Sequence, residues 1–600
     1  MSDIERHQYD VIVVGAGGAG LRAAIAAHDA GARTAVICKS LLGKAHTVMA
    51  EGGIAAAMGN LWPEDNWKVH FRDTMRGGKL LNHWRMAELH AKEAPERVWE
   101  LEQWGALFDR TADGLISQRD FGGHRYARLA HVGDRTGLEM IRTLQQRTVA
   151  LGIDVFMECT ITHLLKDDGA MSGAFGYWRE TGRFIVFEAP SVVLATGGIG
   201  KSWKVTSNSW EYTGDGHALA LRAGAGLINM EFVQFHPTGM VWPPSVRGIL
   251  VTESVRGDGG VLKNSNGERF MFNYIPEFFK AETADTIEEA DRWYEDKKNN
   301  RRPPELLPRD EVARAINSEI KAGRGSPHGG VFLDIASRRT PEYIQKRLPS
   351  MYHQFKELAQ VDITKDPMEI GPTCHYVMGG VEVDPDSAQS TVPGLFAAGE
   401  VAGGMHGANR LGGNSLGDLL VFGKRAGEYA ATYASGLAAR PAVDEAELER
   451  ASAENLAPFN NEDGENPYSV HQELQQVMQN LVGIIRNEEE LSSAIKEIDS
   501  LRHRIANVSV EGHRQYNPGW NLAIDLRNML LVSEAVAKAA FERKESRGGH
   551  TRDDYPMTDY AYWGKRNLIC ELSSTGEVDT REQSLPEPPP ELAELLEEGH

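Results

Sequence analysis

The feature that most restricts this chain stands near its start. An apolar β-branched run, Val11–Val14, leads into Gly15, Ala16, Gly17, Gly18, Ala19 and Gly20, and an Ala-rich helical stretch follows to about Ala30. Residues 34–38 read as a second strand, so the segment is a strand–turn–helix–strand unit. Glycines at G-x-G-x-x-G spacing permit a tight turn. They also let the backbone approach a pyrophosphate, whose charge then sits at a helix N-terminus. The unit predicts a dinucleotide-binding α/β fold. One departure matters: the acidic residue expected after the second strand, for ribose hydroxyls, is absent, and Cys38-Lys39-Ser40 stands there instead. That tells against a generic NAD site and leaves the dinucleotide open at this level.

Two further apolar runs end in glycine turns, residues 192–194 before ATGG and residues 394–398 before Gly399-Glu400. They read as strands of the same sheet, with carboxyl ends converging on a ligand. Between Pro237 and Gly371 the texture turns charged and irregular, as in an inserted domain. Within it, residues 281–304 are strongly charged and read as a solvated helix and loop. From about Ser435 to Lys544 helical periodicity dominates, the pattern of a small amphipathic bundle. The closing LPEPPPELAELLEEGH is rich in Pro and Glu and reads as a mobile tail. The expected organisation is a nucleotide-binding domain over 1–235 and 372–434 and an inserted α+β capping domain over 236–371. A helical domain over 435–545 and a small C-terminal domain with its tail over 546–600 complete it.

Length and composition bound the function. A chain of 600 residues exceeds one compact domain, and 41% hydrophobic with 25% charged residues suits a folded α/β protein. With 64 Lys and Arg against 85 Asp and Glu, the net charge of −21 argues against nucleic-acid binding. Four cysteines without a CxxC pair exclude a disulfide scaffold and a cysteine-ligated cluster held by this chain alone. No metal or haem motif appears, and the cysteine usage fits a reducing compartment. The charged N-terminus predicts no secretory signal. Residues 11–27, interrupted by Arg22 and four glycines, are too short to cross ~30 Å of hydrocarbon. Any membrane association is therefore expected through a separate protein.

The stretch 39–57, KSLLGKAHTVMAEGGIAAA, resembles the segment of succinate dehydrogenase and fumarate reductase flavoproteins that carries the covalent flavin. The likeness runs from Tyr9 to about Arg566 and takes in DTMRGG, RDFGGH, DRTG, TGDG and ESRGGHTRDDYP in order. It implies a Rossmann-like FAD-binding domain, with FAD bonded covalently to His46. A neutral imidazole nitrogen is a competent nucleophile, and the bond raises the flavin's reduction potential, as oxidation of a poor reductant such as succinate requires. The resemblance also places FAD contacts along Gly15 to Gly20, at Lys39, Ser40, Thr47, Glu51, Gly52 and Gly53, and at Asp215, Glu400, Ser415 and Leu416. Position 51 holds Glu where many members have Gln; both occur in the family, and a charge there is able to tune the flavin potential without deciding the reaction's direction. Residues 281–304 make the inserted domain longer than the common family pattern.

A dianionic four-carbon substrate needs cations and hydroxyl donors for both carboxylates. Candidates in polar, glycine-rich settings are His236, Thr252, Glu253, Arg309, His375 and Arg410. The resemblance implies that His236, Thr252, His375 and Arg410 bind the carboxylates and that Phe121 packs nearby. The proton carrier falls on Arg309. A free arginine keeps its proton to pH about 12 or beyond, so Arg309 works only as a shuttle within a hydrogen-bonded chain. Glu253 and Arg256, three apart, share a face if that segment is helical, and they are expected to complete the relay.

The implied function is the flavoprotein catalytic subunit of a succinate:quinone oxidoreductase, placing it in the tricarboxylic acid cycle and the respiratory chain. Its expected partners are quinone-binding membrane anchor subunits, together with an iron–sulfur subunit. Its expected location is peripheral, on the cytoplasmic face of a bacterial inner membrane. A fumarate reductase flavoprotein is the nearest alternative. L-aspartate oxidase shares much of the site but lacks the flavin-bonding histidine, so His46 argues against it. The intact set of His236, Arg309, His375 and Arg410 argues against a flavin-bearing assembly protein without turnover.

Overall fold

A computed structural model describes residues 4–461 and 463–597; residues 1–3 and 598–600, at the outer ends of the first and last expected segments, and residue 462 lie outside it. Five parallel strands carry the glycine turn, in the order Leu395–Ala397, Ser191–Leu194, Val11–Val14, Thr34–Ile37 and Asp154–Phe156. Four of these occupy the runs expected from sequence, and Asp154–Phe156 joins as an edge strand that its mixed pattern concealed. Near-continuous Val and Ile suit strands covered on both faces, and Val11–Val14 is buried throughout. Helices Gly18–Asp29 and Asn414–Gly436 pack together beside it. A Cβ at Gly427 would stand 2.1 Å from Ala23 O, so the approach of these two helices depends on that glycine.

A second sheet carries the polar residues of the central region. Val233–Met240 and Met368–Val377 pair antiparallel, followed by Val331–Asp334 and Val261–Lys263. The boundaries expected at 235/236 and 371/372 fall inside the two long strands, so this sheet spans the junction. Helices Arg309–Lys321 and Pro349–Ala359 cover it through Ile316, Leu333, Phe355 and Met368. Four helices, Glu445–Asn460, Pro467–Leu481, Glu488–Arg504 and Pro518–Glu542, form the expected helical region. Asp444, Asn466, Asn487 and Asn517 cap their N-termini by accepting backbone N–H bonds.

Two expectations need correction. The charged segment 281–304 keeps most of its charges in solvent but is also docked: Ala284, Ala290 and Trp293 are buried, and Asp291 on helix Ile287–Trp293 bridges Arg269 and Arg338 at 2.9 and 2.6 Å. Arg301 pairs with Asp285 and Glu289 inside the segment, whereas Asp291 finds its partners outside it, which the sequence does not show. The closing segment is not a free tail as far as Glu597. Helix Pro590–Glu597 buries Leu592 against Phe71, Met75, Ala87 and Ala91. Among the described residues, no helix is long and apolar enough to cross a membrane, and all four cysteines are free and buried.

Candidate active site

The expected site residues converge on one cavity, which runs from the glycine turn to the second sheet. Only Gly20 and Arg256 of that set stand behind its wall. Gly20 serves packing instead: a Cβ there would meet Gly15 O at 1.9 Å. Gly15 adopts φ +118, which only glycine takes readily. Gly17 caps helix Gly18–Asp29 with no side-chain acceptor, although Gly18 N–H reaches Thr47 Oγ1 at 3.3 Å. The turn therefore presents a helix N-terminus suited to an anion.

At the end of strand Thr34–Ile37, Lys39 takes the place of the missing acid. Its ammonium contacts Asp215 at 2.9 Å, Asp525 at 2.6 Å and Thr213 Oγ1 at 3.0 Å. Burial opposes its charge, but the two carboxylates outweigh it and raise the lysine pKa. Burial also pushes Asp525 up to about 6 despite Lys39. Glu211 also lines the cavity, and burial raises its pKa. Carboxylates at this end thus come from the TGDG turn and from a helix near the C-terminus. Asp525 and Glu211 escape a sequence reading, because nothing local ties them to the turn.

Midway along the cavity His46 opens a short 3₁₀ turn, His46–Met49. Its Nδ1 is buried without a protein partner, and its ring meets Tyr212 edge-on at 4.7 Å. Burial, then the charge of Lys201, lowers its pKa to about 4, so the imidazole is neutral near pH 7. Tyr212, also missed from sequence, lines the cavity with Glu400, whose pKa burial raises. Glu51 is raised well above the carboxylate range by burial and then by Asp134, and its Oε2 has no protein partner.

The far end holds the polar cluster. His236 and His375 occupy neighbouring strands with rings 5.1 Å apart. His236 Nδ1 lies 3.0 Å from Thr238 O, and His375 Nδ1 is hydrogen-bonded to Ser207 Oγ at 2.7 Å, which leaves both Nε2 atoms for a ligand. Burial lowers both histidine pKa values well below the usual range, reinforced by Arg309 for His236 and by His236 for His375. Both are neutral near pH 7, and each Nε2 donates in the tautomer whose Nδ1 accepts, for His236 from the Thr238 N–H at 3.2 Å. Between the guanidiniums stands Gln234, whose Oε1 accepts from Arg410 at 3.0 Å and Arg309 at 3.4 Å. Its spacing of two from His236 was the available signal, since alternate strand residues share a face. Phe121 is buried against Gly52 and Gly412, where a Cβ would stand 2.4 Å from the ring.

Arg309 begins helix Arg309–Lys321, and its Nε donates to Glu253 Oε2 at 2.9 Å. Glu253 precedes the one-turn helix Ser254–Gly257, which puts Arg256 3.8 Å from the same oxygen. Burial would raise Glu253, but Arg309, Arg256 and the Gly122 N–H at 2.8 Å hold its pKa below the usual range. With Arg410 close by, three guanidiniums surround one carboxylate, an excess of positive charge that a dianion would balance.

Residues 10–416 match the family described as "FAD binding domain", and residues 471–590 match "Fumarate reductase flavoprotein C-term". The matching protein of the fumarate reductase (CoM/CoB) from Methanothermobacter marburgensis is 43% identical over 556 residues, covering 92% of this chain and 96% of that protein. The mitochondrial succinate dehydrogenase [ubiquinone] flavoprotein subunit of Oryza sativa subsp. japonica is 37% identical over 591 residues, covering 94% and 88%. The solved Mycobacterium smegmatis Sdh1 in complex with UQ1 is 64% identical with a TM-score of 0.86, covering 98% of this chain and 96% of that one.

The chain belongs to the succinate dehydrogenase and fumarate reductase flavoprotein family. It is an FAD-dependent oxidoreductase of that family, with its fold. The cavity of this flavoprotein fits FAD: the helix N-terminus awaits an anion, and the buried polar atoms of His46 and Glu51 await a polar ligand.

Proposed function

We propose that this flavoprotein is the catalytic subunit of a succinate:quinone oxidoreductase, with FAD bonded to His46. The observation that carries the reading is the convergence of His236, His375, Arg309 and Arg410 on the cavity that holds a neutral His46, its Nδ1 buried without a hydrogen-bond partner. Gly15 to Ala19 would hold the pyrophosphate, and Lys39, Ser40 and Asp215 the adenosine end. Thr47, Glu51, Gly52, Gly53, Glu400, Ser415 and Leu416 would line the remainder. Bound there, the flavin supplies a two-electron hydride acceptor.

The chain's own residues do the rest. His236, Thr252, His375 and Arg410 hold the two carboxylates, and Phe121 covers the substrate. Arg309 takes a proton from the carbon next to the one that loses hydride, while its Nε–H proton passes to Glu253. Arg256 stabilises the relay, and fumarate reduction runs the same transfers backwards. Electrons leave to an iron–sulfur subunit, then to quinone on membrane anchor subunits, with this chain peripheral on the cytoplasmic face of a bacterial inner membrane. The likeness to Sdh1 with UQ1 supports that assembly.

The test is anaerobic flavin absorbance after addition of succinate or L-aspartate. Bleaching by succinate alone, blocked by malonate and lost in Arg309→Ala, is the expected result; bleaching by aspartate overturns it. A second reading, fumarate reduction as the working direction, is favoured by the 43% likeness to a fumarate reductase protein. Comparing succinate oxidation with fumarate reduction in one preparation separates the two directions.

A further inference from the structure

We infer that the charged segment 281–304 is a cross-domain clamp whose Lys297 and Arg302 are positioning residues for substrate exchange. The inference rests on reading the cavity as a dicarboxylate site. Lys297 pairs with Asp120, and Arg302 Nη1 donates to Phe121 O at 3.2 Å, with Nη2 3.9 Å from Asp120. Buried Trp293 lies under both cations, 4.9 Å from Lys297 Nζ and 5.8 Å from the Arg302 guanidinium. From the same segment, the Tyr294 hydroxyl donates to Arg256 O at 2.7 Å. The segment therefore grips both the relay and the loop that bears Phe121.

What it grips decides its role. Phe121 lines the cavity, and the next residue, Gly122, donates to the other oxygen of Glu253. Lifting the segment off Asp120 frees the backbone on which both contacts depend. Lys297 is exposed while Asp120 is largely sheltered, so salt reaches one side of the pair and screens it. Release of a bound dicarboxylate is then limited by an ion pair that no part of the chemistry needs.

The experiment uses the flavin-loaded protein and malonate. Malonate release is followed by flavin absorbance across ionic strength, and hydrogen exchange is read over residues 119–126. Release from the unmodified protein should quicken with salt. Lys297→Ala and Arg302→Ala should release malonate about threefold to tenfold faster, the scale of an exposed ion pair or a single hydrogen bond. Both should exchange faster over 119–126, and Lys297→Ala should lose the salt dependence. The exchanged pair Lys297→Asp with Asp120→Lys should restore slow release. Unchanged release and exchange in flavin-loaded variants overturn the inference, as does salt-independent release from the unmodified protein. If the unmodified protein holds flavin but binds no malonate, the dicarboxylate reading itself fails and the inference falls with it.

Discussion

Arg309 Nε lies 2.9 Å from Glu253 Oε2, and the other oxygen of that carboxylate accepts the Gly122 N–H at 2.8 Å. Because its folded pKa lies below the ordinary value, the pairing contributes stability above the ordinary carboxylate range and loses it as pH falls through the lowered value. Glu253→Gln keeps the shape and removes the proton acceptor. Turnover with succinate should fall about 10²–10⁴-fold with KM little changed. Steady-state rates check this, and a loss confined to KM would move Glu253 from the relay to binding.

Three buried histidines should make the flavin-free chain sensitive to acid. Burial lowers His46 to about 4 and His90 and His217 each to about 3. The unfolded chain binds their protons near pH 6.5, before the folded chain does, so stability rises with pH from about 4 to about 6.5. Urea unfolding across that range is the measurement. A flat midpoint would show that these rings are not held neutral in the fold.

Glu51 has the opposite sign. Its raised folded pKa means that the stability it contributes below the ordinary carboxylate range is lost as pH rises toward the folded value. Glu51→Gln mimics the protonated acid and should remove that slope. In the loaded protein it should also flatten the pH dependence of the flavin potential relative to the unmodified chain. Redox titrations at several pH values test this, and parallel curves would count against it.

Gln234 separates two guanidiniums with a single neutral oxygen. Gln234→Glu places a negative charge there, satisfies both arginines internally and competes with the dianion. KM for succinate and Ki for malonate should rise about tenfold, the scale of one charge-assisted hydrogen bond. Flavin content should stay unchanged. An unaltered Ki in a loaded variant would leave Gln234 a structural spacer.

Helix Pro590–Glu597 holds through Leu592. Leu592→Asp should cost about 2–3 kcal/mol by removing one buried leucine and exposing its neighbours. The unfolding midpoint should drop, with faster proteolysis beyond residue 585. A midpoint equal to that of the unmodified chain would mean the helix is not bound in solution.

The glycine turn and its strands were legible because each rests on neighbours in sequence. The substrate cluster was legible only in parts. His236, His375 and Arg410 stand in distinctive motifs, whereas Gln234 acquires its place from arginines 75 and 176 residues away. Asp525 meets Lys39 across 486 residues. The docking of 281–304 through Asp291 was hidden for the same reason: a sequence names an ion but not its partner.

What the amino-acid sequence determined by itself is local: a turn that needs glycine where a Cβ would strike backbone, apolar runs that bury, caps that satisfy helix ends. Tertiary structure alone decided which carboxylate faces which guanidinium, which histidines are kept neutral, and that the charged segment 281–304 meets Asp120 and the Phe121 carbonyl. Backbone sterics act between adjacent residues, so they are written in order along the chain. Coulomb and desolvation energies depend on distance and burial in space, and those exist only once the chain has folded.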